Sequence, residues 1–179
     1  MKKYRFKFLC LFTLCFICST STVCAQTKGE KARTAYNQFI ANHSLSSAVI
    51  IDLDNNKIPE LLCFDKDSFK SLVYTYKPSK KKIVKLCSIN SGKGYGSYYN
   101  AKKHQVALFS CSTGGSIYKI YKIKGTKAIK KVTYISTRKY PTFNYTYKKN
   151  GKKISYKSWN KAVSSITNKW KKFNGIMDY

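Results

Sequence analysis

The sequence predicts a mainly β, α+β fold: an N-terminal helix, an antiparallel β-meander and a C-terminal amphipathic helix. Three observations carry this. From Ser46 to Tyr156 the chain is a series of short runs rich in Val, Ile, Tyr and Thr, with turn residues between them. Ahead of that series, Ala32, Ala35, Tyr36, Phe39 and Ile40 recur at helical spacing. Behind it, Trp159, Ala162, Val163, Ile166, Trp170 and Phe173 fall on one helical face, with lysines around the rest.

The first segment reads as an export signal. Lys2, Lys3, Arg5 and Lys7 precede an apolar run from Phe8 to Cys18, and Val23-Cys24-Ala25 offers small residues for cleavage before Gln26. The run is shorter than the roughly 20 residues of a comfortable membrane span. Met1 to Ala25 is therefore expected to be a signal peptide, and residues 26–179 a single secreted or cell-surface domain. Lipid attachment at Cys24 is disfavoured, because Ser21, Thr22 and Val23 do not supply the usual Leu and small residue. Cleavage leaves Cys63, Cys87 and Cys111. Three cysteines cannot all pair within one chain. Each sits in an apolar or β-type run, which suggests buried small apolar residues; one disulfide plus a free thiol is the alternative.

The helix is expected over Glu30 to His43, packing its single apolar stripe against the sheet. Strands follow at Ser47 to Ile51, Glu60 to Phe64, Ser71 to Tyr76, Ile83 to Ile89, Gly96 to Asn100, Gln105 to Cys111, Ser116 to Ile123, Ile129 to Ser136, Thr142 to Tyr147 and Lys153 to Tyr156. Pro78-Ser79, Asn90-Ser91-Gly92, Gly114-Gly115, Gly125 and Asn150-Gly151 punctuate them. Asn150-Gly151 is the strongest turn signal, because a type I′ hairpin needs positive φ at both central residues. Short strands on short connections imply an antiparallel meander, as an open sheet, a barrel or propeller-like blades. Ser155 can cap a final helix running to Phe173.

Charge is distributed very unevenly. The chain has 35 Lys and Arg against 7 Asp and Glu, a formal net charge of +28. Yet Asp52, Asp54, Glu60, Asp65 and Asp67 fall in one short stretch. Asp52, Asp54 and Asn56 stand at alternate positions, Ile58 at the seventh place and Glu60 at the ninth. A hard cation such as calcium takes about six to eight oxygens. Short oxygen side chains alternating on a tight loop can converge on one point, and the Ile58 carbonyl and water can add to the set. The twelfth place is Cys63, so the bidentate Glu of an EF-hand is missing, and the flanks read as strands rather than helices.

The run Asp52-Leu53-Asp54-Asn55-Asn56-Lys57-Ile58-Pro59-Glu60-Leu61 resembles the calcium loops of FG-GAP and integrin-type propeller repeats. It is also similar to the single DxDxDGxPEL loop of small exported bacterial proteins of uncharacterised role. In those, a helix precedes the loop, and a hairpin like Tyr147 to Ser155 and a final helix close the chain. The resemblance implies bound calcium held by Asp52, Asp54, Asn56, Ile58 and Glu60. The departure is Lys57, where the pattern has Gly. A left-handed backbone there costs a residue with a Cβ about 1 kcal/mol.

Between Ser68 and Tyr179 there are 26 Lys or Arg and one acid, Asp178. Self-repulsion on that scale costs stability and draws in polyanions. Lysine dominates, and it acts as a point charge rather than as the two-pronged donor that Arg provides. The expected partners are anionic polymers, teichoic acid-like chains or acidic polysaccharides, met by a monomer. Alternatives are single-stranded nucleic acid, which suits mixed aromatic and basic residues, and a membrane surface met through the C-terminal helix. Catalysis is not favoured: no catalytic residue set is assigned. His43 and His104 lack metal-ligand spacing. A secreted hydrolase, with Cys111 and His104 as nucleophile and base or with Asp65 and Asp67 as paired carboxylates, is the alternative.

Overall fold

In the computed structural model, residues 25–91, 96–142 and 144–173 are described. The expected signal peptide, apart from Ala25, lies outside them, as do residues 92–95 of the glycine-rich turn. The chain runs α1 (Lys28–Ala41), β1 (Leu45–Ile51), β2 (Glu60–Asp65), β3 (Lys70–Lys77), β4 (Lys82–Asn90), β5 (Tyr98–Asn100), β6 (Gln105–Ser112), β7 (Gly115–Lys124), β8 (Lys127–Arg138), β9 (Tyr145–Lys149), β10 (Lys152–Ile154), α2 (Tyr156–Lys169) and β11 (Lys171–Lys172). The strands form two open antiparallel sheets, not a barrel: a four-stranded sheet in the order β1-β2-β3-β4, and a seven-stranded sheet in the order β10-β9-β8-β7-β6-β5-β11.

Strand alternation turns these sheets into the middle of a four-layer stack. Successive side chains point to opposite faces. In β2, Leu62 packs between the sheets with Leu53, Val73, Val106, Leu108 and Ile123. Its neighbours Leu61 and Cys63 pack on the other face against Ala32 and Tyr36 of α1. In the larger sheet, Val106 and Leu108 face the sheet interface, while Ala107, Tyr118 and Ile120 face Val163 and Ile166 of α2. The order is thus α1, four-stranded sheet, seven-stranded sheet, α2. The sheets are buried on both sides where they overlap, so β2 reads as continuously apolar rather than alternating.

The helix termini follow from local chemistry. Thr27 caps α1, its hydroxyl accepting from the Glu30 amide while the Glu30 carboxylate accepts from the Thr27 amide. The cap starts the helix two residues before the expected Glu30. Ser155 caps α2 through the Ser158 amide. The apolar stripe of α2 is covered by the sheet.

Three expectations are corrected. The final helix stops at Lys169, not Phe173: Lys171 and Lys172 pair with Tyr99 and Tyr98 as an edge strand. Phe173 is thereby drawn into the core between the sheets, where burial outweighs another helical turn. The hairpin into β9 starts at Tyr145 rather than Thr142. Cys63, Cys87 and Cys111 are all free, without the alternative disulfide; Cys63 and Cys87 are buried as expected, but Cys111, near the end of β6, is only partly buried. Cys63 faces α1 and Cys87 the sheet interface, on opposite sides of the same sheet. Burial pushes both thiols up to about 12, which leaves them inert small apolar groups.

Candidate metal centre

The loop of residues 52–59 joins β1 to β2, and its base is closed by the pairing of Ile51 with Glu60. Within it the backbone folds on its own side chains. The Asp54 carboxylate accepts from the Asn56 amide at 3.3 Å and the Asn56 side-chain oxygen from the Ile58 amide at 2.7 Å. The Asp52 carboxylate accepts from the Lys57 amide at 2.9 Å. Asn55 and Lys57 adopt left-handed backbone, with φ of 62° and 67°. Lys57 therefore occupies the place that the calcium-loop pattern gives to Gly, in the conformation that favours Gly.

These turns bring Asp52, Asp54 and Glu60 together, with one carboxylate oxygen from each lying within 4.8 Å of the others. Glu60 is fully buried. One of its oxygens accepts from the Leu53 amide at 2.9 Å. Its other oxygen, Oε1, and Oδ1 of Asp52 are buried with no hydrogen-bond partner. Buried polar atoms are nearly always satisfied, and an unsatisfied one costs about 1 to 3 kcal/mol, more when charged. Burial pushes the Glu60 carboxyl up to about 8; the Leu53 amide opposes this, and the negative charges of Asp54 and Asp52 add to it. Three converging carboxylates with two unpartnered oxygens form a group that could hold a hard divalent cation, which would supply the missing partner to both.

The loop is clamped from three sides. The Tyr36 hydroxyl of α1 donates to the Pro59 carbonyl at 2.9 Å. Burial first, and the Glu60 charge second, push the Tyr36 phenol upward, keeping it a donor. A Cβ on Gly29 would lie 2.7 Å from the Lys57 carbonyl oxygen, so α1 can approach this closely only with glycine there. From the opposite sheet, the Gly125 amide in the β7–β8 turn donates to Asp54 Oδ2. His104, in the turn before β6, bonds the Leu53 carbonyl at 2.5 Å through Nδ1.

Of the residues expected at the site, Asp52, Asp54 and Glu60 converge. Asn56 shapes the loop through its bond to Ile58, and Ile58 packs toward α1. Gly125 and His104 were not legible as members: they lie 71 and 51 residues away from their partners. The other two acids of the stretch stand apart. Asp65 and Asp67 do not adjoin the loop, because β2 intervenes and a rise of about 3.3 Å per residue carries them roughly 15 Å away. Asp65 instead holds the β2–β3 turn, accepting from the amides of Asp67 and Ser68 and from the Ser68 hydroxyl. His104 precedes β6 and Cys111 is its penultimate residue, roughly 20 Å apart by the same rise.

No family model matches the chain, and no curated protein matches it. One solved structure, of a Xanthomonas type IV secretion system related protein, matches with a TM-score of 0.42 at 14% identity, over 61% of this chain and 58% of that one.

Proposed function

We propose that this is an exported, non-catalytic, calcium-binding domain that adheres through its basic surface to anionic cell-wall or extracellular polymers. The observation that carries the metal half is the pair of buried, unpartnered carboxylate oxygens on Asp52 and Glu60. Asp52, Asp54 and Glu60 would hold the ion, with the Asn56 side chain and the Ile58 carbonyl as the remaining loop donors. Calcium would supply the positive charge that lets three carboxylates sit together. The chain's own residues do the rest. Asp54 reaches across to Gly125, and Leu53 to His104, so the loop that would hold the ion also ties the two sheets together. Occupancy is thus coupled to the packing of the sheets, and the role is structural support. Sites of this kind outside cells bind at about 10⁻⁴ to 10⁻³ M. A tenfold excess of calcium over such a constant adds about 1.4 kcal/mol.

The adhesive half rests on charge. Residues 96–173 contain no Asp or Glu at all, so the seven-stranded sheet and α2 are basic without internal compensation. Removing the four basic residues of the expected leader from +28 still leaves +24. The test is retention on an immobilised uronate polymer by the chain from Gln26 to Tyr179. Retention in low salt that is lost by about 0.5 M, as the charges are screened, supports adhesion; no retention at low salt overturns it. The hydrolase alternative finds no support in the pairs named for it, since His104 and Cys111 are held apart by β6 and Asp65 is engaged in a turn.

A further inference from the structure

The β9–β10 hairpin concentrates two features on one face. The first is aromatic. Tyr145 and Tyr147 are stacked at 6.3 Å between ring centroids with 21° between planes. Tyr147 also lies 5.3 Å from Tyr156 and 5.2 Å from Trp159. Trp159 and Tyr147 belong to the packing of α2 on the sheet. Tyr145 and Tyr156 do not: they are 47% and 58% exposed. Aromatic rings normally contribute by burial, so two tyrosines left open on either side of a third need another reason.

The second feature is charge. Lys149 and Lys152 stand directly opposite each other across the hairpin. They share the face of Tyr147, two residues along β9. Lys149 also sits over the Tyr134 ring, 6.0 Å from its centroid. Like charges directly opposite in a ladder destabilise it. Lys152 lies on β10, the free edge of the seven-stranded sheet, where a lysine also guards against unwanted pairing, as Lys153 does on the other face; Lys149 lies on the interior strand β9, where that explanation does not apply. A carboxylate placed between them would meet both charges at once, a modest gain at an exposed site.

We propose that this face is the binding platform for an acidic polysaccharide, with sugar rings laid on Tyr145 and Tyr156 and their carboxylates taken by Lys149 and Lys152. The proposal rests on the polyanion-adhesion reading and names its site and ligand class. Charge alone would suit any polyanion. The exposed rings select one with flat apolar faces of its own, and the tyrosine hydroxyls add donors and acceptors for a hydroxyl-rich chain. Lysine, a point charge, suits carboxylates distributed along such a chain.

The experiment compares a uronate oligosaccharide, a poly(glycerol phosphate) and oligo(dT) of equal charge, binding to the chain from Gln26 to Tyr179 at fixed salt. Each is repeated with Tyr145→Ala/Tyr156→Ala, with Lys149→Gln/Lys152→Gln, and with a control of equal charge loss on α1, Lys28→Gln/Lys31→Gln. The expected result is that the tyrosine variant loses tenfold or more for the uronate and less than twofold for the ringless phosphate polymer. The Lys149/Lys152 variant should lose at least fivefold more than the α1 control. Tyr145→Phe/Tyr156→Phe, which keeps the rings, should retain most of the affinity and guards against a folding artefact. Equal losses in the hairpin and α1 variants would overturn the platform while leaving general adhesion standing. Tighter, tyrosine-dependent binding of oligo(dT) would overturn the polysaccharide assignment in favour of nucleic acid. If none of the three polymers binds the unmodified chain, the adhesion reading itself fails.

Discussion

The β1–β2 loop and the β9–β10 hairpin are both concentrations of like charge, and they are built in opposite ways. In the loop, three carboxylates converge at the edge of the core, with Glu60 fully buried and two oxygens unpartnered. In the hairpin, Lys148 faces Lys153 and Lys149 faces Lys152, all exposed to water. Solvent and salt screen exposed charges, so the hairpin's repulsion is small and diffuse. The loop cannot be screened in that way: its buried carboxyl either keeps its proton, as the raised Glu60 group does, or would need a specific counter-charge. On the proposed reading, the same physics would make a discrete ion site of the one and part of a broad adhesive surface of the other.

The contrast can be broken most strongly at Glu60. Its carboxyl is raised from 4.5 to about 8, so the folded state binds the proton more tightly than the unfolded chain does. That contribution is fully present below pH 4.5 and is lost as pH rises through about 8. In chelator, stability should fall between pH 5.5 and pH 8, and Glu60→Gln should flatten the slope. At pH 7 the variant should be more stable than the parent by up to about 3 kcal/mol in chelator, by linkage, and should no longer respond to calcium. Urea melts across that pH range check both.

Next is the helix clamp. Gly29→Ala places a Cβ 2.7 Å from the Lys57 carbonyl. Either α1 or the loop must shift, at a cost of about 1 to 3 kcal/mol, and calcium affinity should fall with it. Lys57→Gly works in the other direction. It relieves a left-handed residue and takes one lysine out of the loop, so a gain of about 0.5 to 1 kcal/mol and tighter calcium binding are expected. The smallest effect lies in the hairpin. Lys153→Glu, opposite Lys148, should stabilise by only about 0.2 to 1 kcal/mol, and that gain should vanish in 1 M salt. A hairpin effect as large as that of Glu60→Gln would remove the distinction between the two regions.

Much of the fold was legible because its signals are local. Helix periodicity located α1, Asn150-Gly151 marked its hairpin, where both residues have positive φ, and the alternation of Asp52, Asp54 and Asn56 marked the loop. What could not be read depends on tertiary contacts. Phe173 continues the helical stripe of α2 in sequence, yet the pocket between the sheets captures it and ends the helix early. Asp65 and Asp67 look adjacent to the loop along the chain, but an extended strand separates neighbours quickly. Gly125 and His104 join the loop only because the two sheets stack, and no local pattern announces that.

Asp52, Asp54 and Glu60 are proposed to form one calcium site. Calorimetric titration of calcium into the chain from Gln26 to Tyr179 tests it most directly, alongside Asp52→Ala. The expected result is a single site with a dissociation constant of about 10⁻⁴ to 10⁻³ M, absent in Asp52→Ala although that variant remains folded. No heat of binding at millimolar calcium, or equal binding by the folded Asp52→Ala variant, would contradict it.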